Sequence, residues 1–260
     1  MKTEKLNISC LQTDIVWQDR DANLDHLSSL IDTINDNCDL ILLPETFSTA
    51  FPVDAEIFSE RREGVTMQWM HDMAQKKNAV VAGTLLLHDP DGCYNSFVWM
   101  HSDGSYNIYR KRHPFAIGGE RAPIKQGSEK TIIEIKGWRI MPLVCYDLRF
   151  PVWSRNSFNG GEFAYDILAY TANFPQSRMD VWDTLLKARA IENQAYVVAV
   201  NRIGTTPDDT CYSGHSQLID ARGNVVCRAH EGQEEILSTQ LNASDLDTFR
   251  EKFPVGHDWD

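Results

Sequence analysis

Gly137-Trp-Arg-Ile-Met-Pro-Leu-Val-Cys-Tyr-Asp-Leu-Arg-Phe150 reads as a buried strand that runs into a sharp turn and delivers a thiol, Cys145, onto it. A strand end of this kind is where a nucleophile belongs. A free cysteine in an apolar strand also packs as a small hydrophobe, so these residues alone leave Cys145 open between core and chemistry.

The surroundings of that strand repeat a simple plan. After 138–144 come a short helix, a strand at 166–170, a helix at 180–194, a strand at 196–201 and a hairpin near 214–228. Upstream, residues 6–12 alternate as a strand, and Asp21 is placed to cap a helix in which Leu24, Leu27, Ile31 and Ile34 recur at helical spacing. The strand at 39–44 is apolar on both faces, as in a sheet covered by helices. A helix over 64–77 offers Met67, Met70 and Met73 as core packing, and a strand at 79–87 follows. Strands at 94–100 and 106–109 flank Ser102-Asp-Gly-Ser105, a hairpin loop. The halves match in order, and faintly in letters, where Asp91-Gly-Cys-Tyr faces Asp209-Thr-Cys-Tyr. Two such halves predict an α/β fold, with two mixed sheets stacked face to face and helices outside, in a single domain over 1–260. The segment from 241 reads as a capped short helix and then an extended acidic tail, to 260, expected to dock on a partner subunit.

Bulk properties narrow the function. The 260 residues carry a formal charge of −12 and a pI near 5.1, which argues against nucleic acid and anionic membrane surfaces as partners. No apolar run approaches the roughly 18 residues of a membrane helix. The six cysteines, Cys10, Cys38, Cys93, Cys145, Cys211 and Cys227, lack metal-site or disulfide-framework spacing, which fits a reducing cytoplasm.

In layered α/β folds, sites gather beyond the carboxyl ends of strands. Three residues follow strand ends here: Glu45 after Leu-Leu-Pro44, Lys111 after the hairpin, and Cys145. A carboxylate can take a thiol proton, and an ammonium can stabilise the resulting anion or a developing oxyanion. The Tyr146 N–H, at the turn after the thiol, is placed to be a second oxyanion donor. Glu120, in the loop after Lys111, is a candidate to orient Lys111 or substrate. A helix-capping role for Glu45 and solvated surface roles for Lys111 and Glu120 are the plain alternatives. Arg189 and Glu192 read as a buried structural ion pair, and His215 as a polar strand residue. A papain-like pairing of Cys145 with His113 or His215 is a weaker alternative to the Glu–Lys set.

Leu-Pro-Glu45-Thr-Phe, Tyr-Arg-Lys111-Arg-His and Val-Cys145-Tyr-Asp-Leu-Arg-Phe-Pro together resemble the three signature segments of the nitrilase superfamily, in order and at similar separations. The similarity runs over essentially the whole chain. Cys145 to Arg155, Lys187 to Tyr196 and the closing Arg-Glu-Lys-Phe-Pro254 are similar to its bacterial omega-amidase branch. The resemblance implies a dimeric four-layer αββα sandwich with Glu45 as general base, Lys111 as orienter, Cys145 as nucleophile and Glu120 as second glutamate. No metal or organic cofactor is implied. The implied substrates are 2-oxo acid amides such as 2-oxoglutaramate or 2-oxosuccinamate. The same thioester chemistry would serve an N-carbamoyl amine hydrolase or a nitrilase, and a redox-sensitive binding module is the non-enzymatic alternative. A catalytic Cys145 is expected to be thiolate-prone and to react fastest of the six with iodoacetamide. Phe115, Tyr170, Asn173 and Phe174 are expected to line the pocket. Arg121, Arg149 and Arg178 are candidates for a distal carboxylate, with pairing to Asp147 as the structural alternative for Arg149.

Overall fold

Alternation in the short strand Leu40–Leu42 explains the layering. Leu40 and Leu42 face one apolar cluster, while Ile41 and the following Leu43 face another. Both faces of this sheet are therefore covered, one by helices and the other by a second sheet. The computed structural model describes residues 2–51, 54–118, 120 and 124–259.

The first sheet runs in the order Glu235–Asn242, Lys5–Gln12, Leu40–Leu42, Val80–Asp89, Gly92–Met100 and Tyr106–Arg110, with Ile124–Lys125 pairing on Gly92–Met100. The second runs Ile133–Ile135, Trp138–Val144, Ile167–Ala172, Tyr196–Asn201, Gln217–Ile219 and Val225–Arg228. Both begin with an antiparallel pair, continue through two parallel pairings and end in two antiparallel ones. The repeat inferred from element order is thus present in strand direction.

Helices Arg20–Asp32 and Val65–Lys77 close the outer face of the first sheet, where Leu24, Leu27, Ile31, Met67 and Met70 pack against Ile41, Val81 and Val98. Met67 and Met70 are core residues, as their spacing predicts. On the second sheet, Trp182, Leu186 and Ala190 of helix Met179–Asn193 join the largest apolar cluster. The layers are helix, sheet, sheet, helix.

Several local readings need correction. Asp19, not Asp21, caps the first helix, its side chain accepting from the Ala22 N–H at 3.1 Å. The strand Glu235–Asn242 has no counterpart in the sequence reading, yet it pairs along the whole of Lys5–Gln12. The helix Ala243–Lys252 that follows takes its N-terminal help from a distant residue: Glu4 accepts from the Ser244 N–H at 3.3 Å. The tail is not extended. Residues Val255–Asp258 form a 3₁₀ turn, and His257 and Trp259 lie 4.7 and 5.5 Å, ring to ring, from Phe158 and Phe163 of the same chain. His215 lies between strands, in the left-handed region at φ 62°, where its Nδ1 lies 3.0 Å from Asp183.

Candidate active site

The Trp138–Val144 strand ends inside the sandwich, and the chain turns at once into the 3₁₀ helix Cys145–Arg149. Cys145 makes that turn at φ 42°, a left-handed conformation that a β-carbon disfavours. Asp147 holds the turn. It is fully buried, and its two oxygens accept from the Val144 N–H at 3.0 Å, the Tyr109 hydroxyl at 2.8 Å and the His113 N–H at 3.0 Å. His113 Nδ1 also lies 2.7 Å from Asp147, while its ring stacks on Phe150 at 3.7 Å. Asp147 therefore ties the nucleophile turn to the segment bearing Lys111. It is not paired with Arg149, contrary to the structural alternative above.

Lys111 follows Tyr106–Arg110 into the interior. Its side chain is 1 % exposed, and Nζ donates to Glu45 at 2.8 Å and to Glu120 at 2.8 Å. Both glutamates are buried, so the solvated readings of Lys111 and Glu120 fail, as does the capping role for Glu45. Burial works against the ammonium, but Glu120 and then Glu45 outweigh it and hold the Lys111 pKa above its ordinary value. Glu120 also accepts from the Phe115 N–H at 2.6 Å, which ties it to a residue of the cavity wall.

The second sheet contributes Asn173, just past Ile167–Ala172. Its N–H donates to Glu45 Oε2 at 2.9 Å, and its side-chain amide donates to the Glu45 carbonyl at 2.8 Å and the Thr46 hydroxyl at 3.0 Å. Cys145 Sγ lies 3.8 Å from the Asn173 carbonyl oxygen. Burial, and then the charge of Glu45, push the Cys145 thiol well above its ordinary pKa, with Lys111 opposing. That direction runs against the expectation of a thiolate-prone cysteine. A base must act during attack.

Glu45, Lys111 and Cys145 meet on a cavity of about 310 Å³, also lined by Phe115, Tyr146, Asn173 and Phe174 as predicted. Tyr170 is not among the lining residues; it is wholly buried in the core. Neither His113 nor His215 lines the cavity, which leaves the papain-like pairing without a place. Arg149 and Arg178 both reach it, and their guanidinium carbons lie 5.9 and 6.0 Å from the Phe174 ring centre. Arg121 lies outside the described residues. Arg189 pairs with Glu192 at 2.8 Å, but only Arg189 is buried.

Sequence reading missed Asp208, Thr210 and Tyr212, which bring the Cys211–Ser213 hairpin strand to the cavity, and Asn95 beneath it. The faint Cys-Tyr repeat was the signal available for this hairpin and for Asn95. The arrangement can supply a nucleophile, a carboxylate within reach of its proton, and cationic and N–H donors for an oxyanion.

Comparison with known proteins agrees with this chemistry. The carbon-nitrogen hydrolase family model matches residues 7–251. The chain is 41 % identical over 255 residues to the omega-amidase YafV of Yersinia enterocolitica, covering 98 % of this chain and 97 % of that protein. It is 32 % identical over 258 residues to the 2-oxoglutaramate amidase of Bacillus subtilis, covering 98 % and 97 %. Among solved structures, a CN-hydrolase superfamily protein of Xanthomonas campestris, with an arsenic adduct in its active site, superposes with a TM-score of 0.97 at 37 % identity, covering 99 % and 98 % of the two chains. Matched in sequence along nearly its full length and in overall fold, the chain belongs to the carbon-nitrogen hydrolase family.

Proposed function

We infer that this enzyme is an omega-amidase that releases ammonia from the terminal amide of 2-oxo acid amides such as 2-oxoglutaramate or 2-oxosuccinamate. One observation carries the reading within the family. Two partly buried arginines, Arg149 and Arg178, line the cavity with the thiol, and neither has an ion-pair partner among the described residues. In a chain of net charge −12, unpaired guanidinium groups beside a nucleophile fit a substrate with a carboxylate at its far end. The relatives named omega-amidase and 2-oxoglutaramate amidase support the same substrate class.

In the proposed reaction, Glu45 takes the thiol proton as Cys145 Sγ attacks the amide carbon. Lys111 and the Tyr146 N–H stabilise the oxyanion; Tyr146 stands in the first turn of a 3₁₀ helix, where N–H groups have no intrahelical acceptor. Collapse breaks the C–N bond, Glu45 returns the proton to the leaving nitrogen, and ammonia departs from a thioester. Glu45 then deprotonates water, hydroxide attacks the thioester, and the thiolate leaves and recovers its proton. Glu120 holds Lys111 between the two carboxylates throughout.

The enzyme is proposed to act as a cytoplasmic homodimer, without nucleic-acid or membrane partners. Six free cysteines support the reducing compartment, and among the described residues no helix is long and apolar enough to cross a membrane. Exposed Val152, Ile191 and Phe253 support a second copy covering the outer helices and the tail.

Ammonia release tests the reading, with 2-oxo acid amides, N-carbamoyl amines and nitriles as substrates and Cys145→Ala as the blank. Turnover of 2-oxoglutaramate is expected, with an Arg178→Gln variant raising KM for it about tenfold and leaving an uncharged linear amide unaffected. Carbon dioxide released with ammonia from carbamoyl amines, and intact 2-oxo acid amides, would overturn the substrate class.

A further inference from the structure

Asn95 lies on Gly92–Met100, wholly buried, behind the cavity wall. Its Nδ2 donates to Glu45 Oε1 at 2.9 Å and to Glu120 Oε1 at 2.8 Å. Lys111 Nζ touches the same two carboxylates, Glu45 Oε1 and Glu120 Oε2, each at 2.8 Å. The four side chains close a ring in which each donor bridges both acids. Its backbone is tied as well, since the Lys111 N–H donates to the Asn95 carbonyl at 2.9 Å.

Charge explains why a carboxamide stands there. Two carboxylates and one ammonium leave one net negative charge in a site removed from water. Two acids crowded around a single cation tend to share a proton, because the second ionisation meets the field of the first. A further lysine would remove that tendency but would also lower the affinity of Glu45 for a thiol proton. A neutral amide gives each carboxylate a hydrogen bond that favours its charged form without adding a charge. Its orientation is fixed by the same field: the turned-over amide would aim Oδ1 at two carboxylates. In the observed orientation Oδ1 has no partner among the described residues, a cost accepted for the two donations of Nδ2.

We propose that Asn95 is a positioning residue of the catalytic machinery, whose bridge between Glu45 and Glu120 keeps both glutamates ionised so that Glu45 is ready to take the Cys145 proton. The proposal rests on Glu45 acting as the base. Around Glu45, the facing groups are Lys111, Glu120, Cys145 and Tyr212, with Arg149, Arg178 and Asp208 on the remaining walls. Burial pushes the Tyr212 phenol up to about 12, so it stays neutral in the working range. The Thr206 hydroxyl, donating to Asp208, holds that carboxyl below the usual carboxylate range.

The test is the pH dependence of kcat and kcat/KM for Asn95→Leu, which keeps the shape and removes the donor, on whichever amide the wild type cleaves. The acid limb is expected to move up by about one pH unit, with kcat on that limb about tenfold lower and KM within about twofold, because Asn95 does not line the cavity. An unmoved acid limb in a variant with a cooperative melt, or a change confined to KM, overturns the proposal. Should Asn95→Leu fail to fold, Asn95→Asp is read by the same two outcomes, since a third carboxylate raises the acid limb still further. Glu45→Gln is the control that separates the two levels. If it retains activity, the assignment of the base is wrong; if it is inactive and the Asn95 profile is unmoved, only the role of Asn95 is wrong.

Discussion

Cys145 combines a strained backbone with a thiol that burial and the Glu45 charge push above its ordinary pKa. In the proposed reaction the thiol gives up its proton to Glu45 only as it attacks, so the resting group is expected to react slowly with electrophiles. Alkylation by iodoacetamide is therefore expected to climb with pH through and beyond the ordinary thiol range, about 8.5, as followed by peptide mass spectrometry. A rate already flat from about pH 6 to 8 would mean a resting thiolate. Glu45, Lys111 and Cys145 were legible because each follows a strand and each is a reactive type. Asn95 was not, because a carboxamide is common on exposed loops and only its two carboxylate partners give it meaning.

Among the elements, the C-terminal helix Ala243–Lys252 is tied to the second sheet by Arg250, which also donates to the Gln194 and Tyr165 carbonyls. Arg250 Nη1 lies 2.8 Å from Asp166, just before the strand Ile167–Ala172, with both groups nearly inaccessible. Burial works to raise the Asp166 pKa, but Lys2 and then Arg250 outweigh it, and the pKa lies below the usual carboxylate range. Because the folded value is the lower one, the stabilisation is complete above the unfolded pKa of about 3.9 and is lost as pH falls through the folded value. Arg250→Ala, which removes the nearest partner of the Asp166 carboxylate and leaves Lys2 at 3.6 Å and Arg139 at 3.7 Å, is expected to cost about 1–3 kcal/mol in urea unfolding at neutral pH. The difference from wild type should shrink in strong acid; a constant difference would show that packing alone holds the helix. The preceding strand, Glu235–Asn242, escaped the sequence reading because its outward positions are polar and it lies at a sheet edge, where alternation is weak.

At the scale of the whole molecule, the site exists only where the two sheets meet. Glu45 and Lys111 come from the first sheet, and Cys145 and Asn173 from the second. The Thr171 hydroxyl donates to the Leu43 carbonyl across the junction at 2.7 Å, and Asn173 extends the bond set to Glu45 and Thr46. Asn173→Ala leaves two buried acceptors without their donor and is expected to cost about 1–3 kcal/mol of stability while lowering kcat. Unchanged urea midpoint together with wild-type kcat would show that the sheets hold the site without this residue. The repeat of two similar halves thus makes one site between them.

The sequence by itself determined the layers, since strands apolar on both faces demand cover on both sides, and it nominated the trio through residue types at strand ends, which left capping and surface roles open. It also carried the family, because three short segments in order constrain chemistry more than composition does. The tertiary structure decided which neutral and charged groups surround that trio: Asn95, Asn173 and Asp147 bind it into place, while Arg149 and Arg178 line the same cavity without an ion-pair partner among the described residues. It alone decided, too, that burial and then Glu45 push the Cys145 thiol up, with Lys111 opposing. Residue type sets the ordinary chemistry of a side chain, but its protonation state, its partners and the field it feels depend on distances between segments far apart in the chain, and folding fixes those distances.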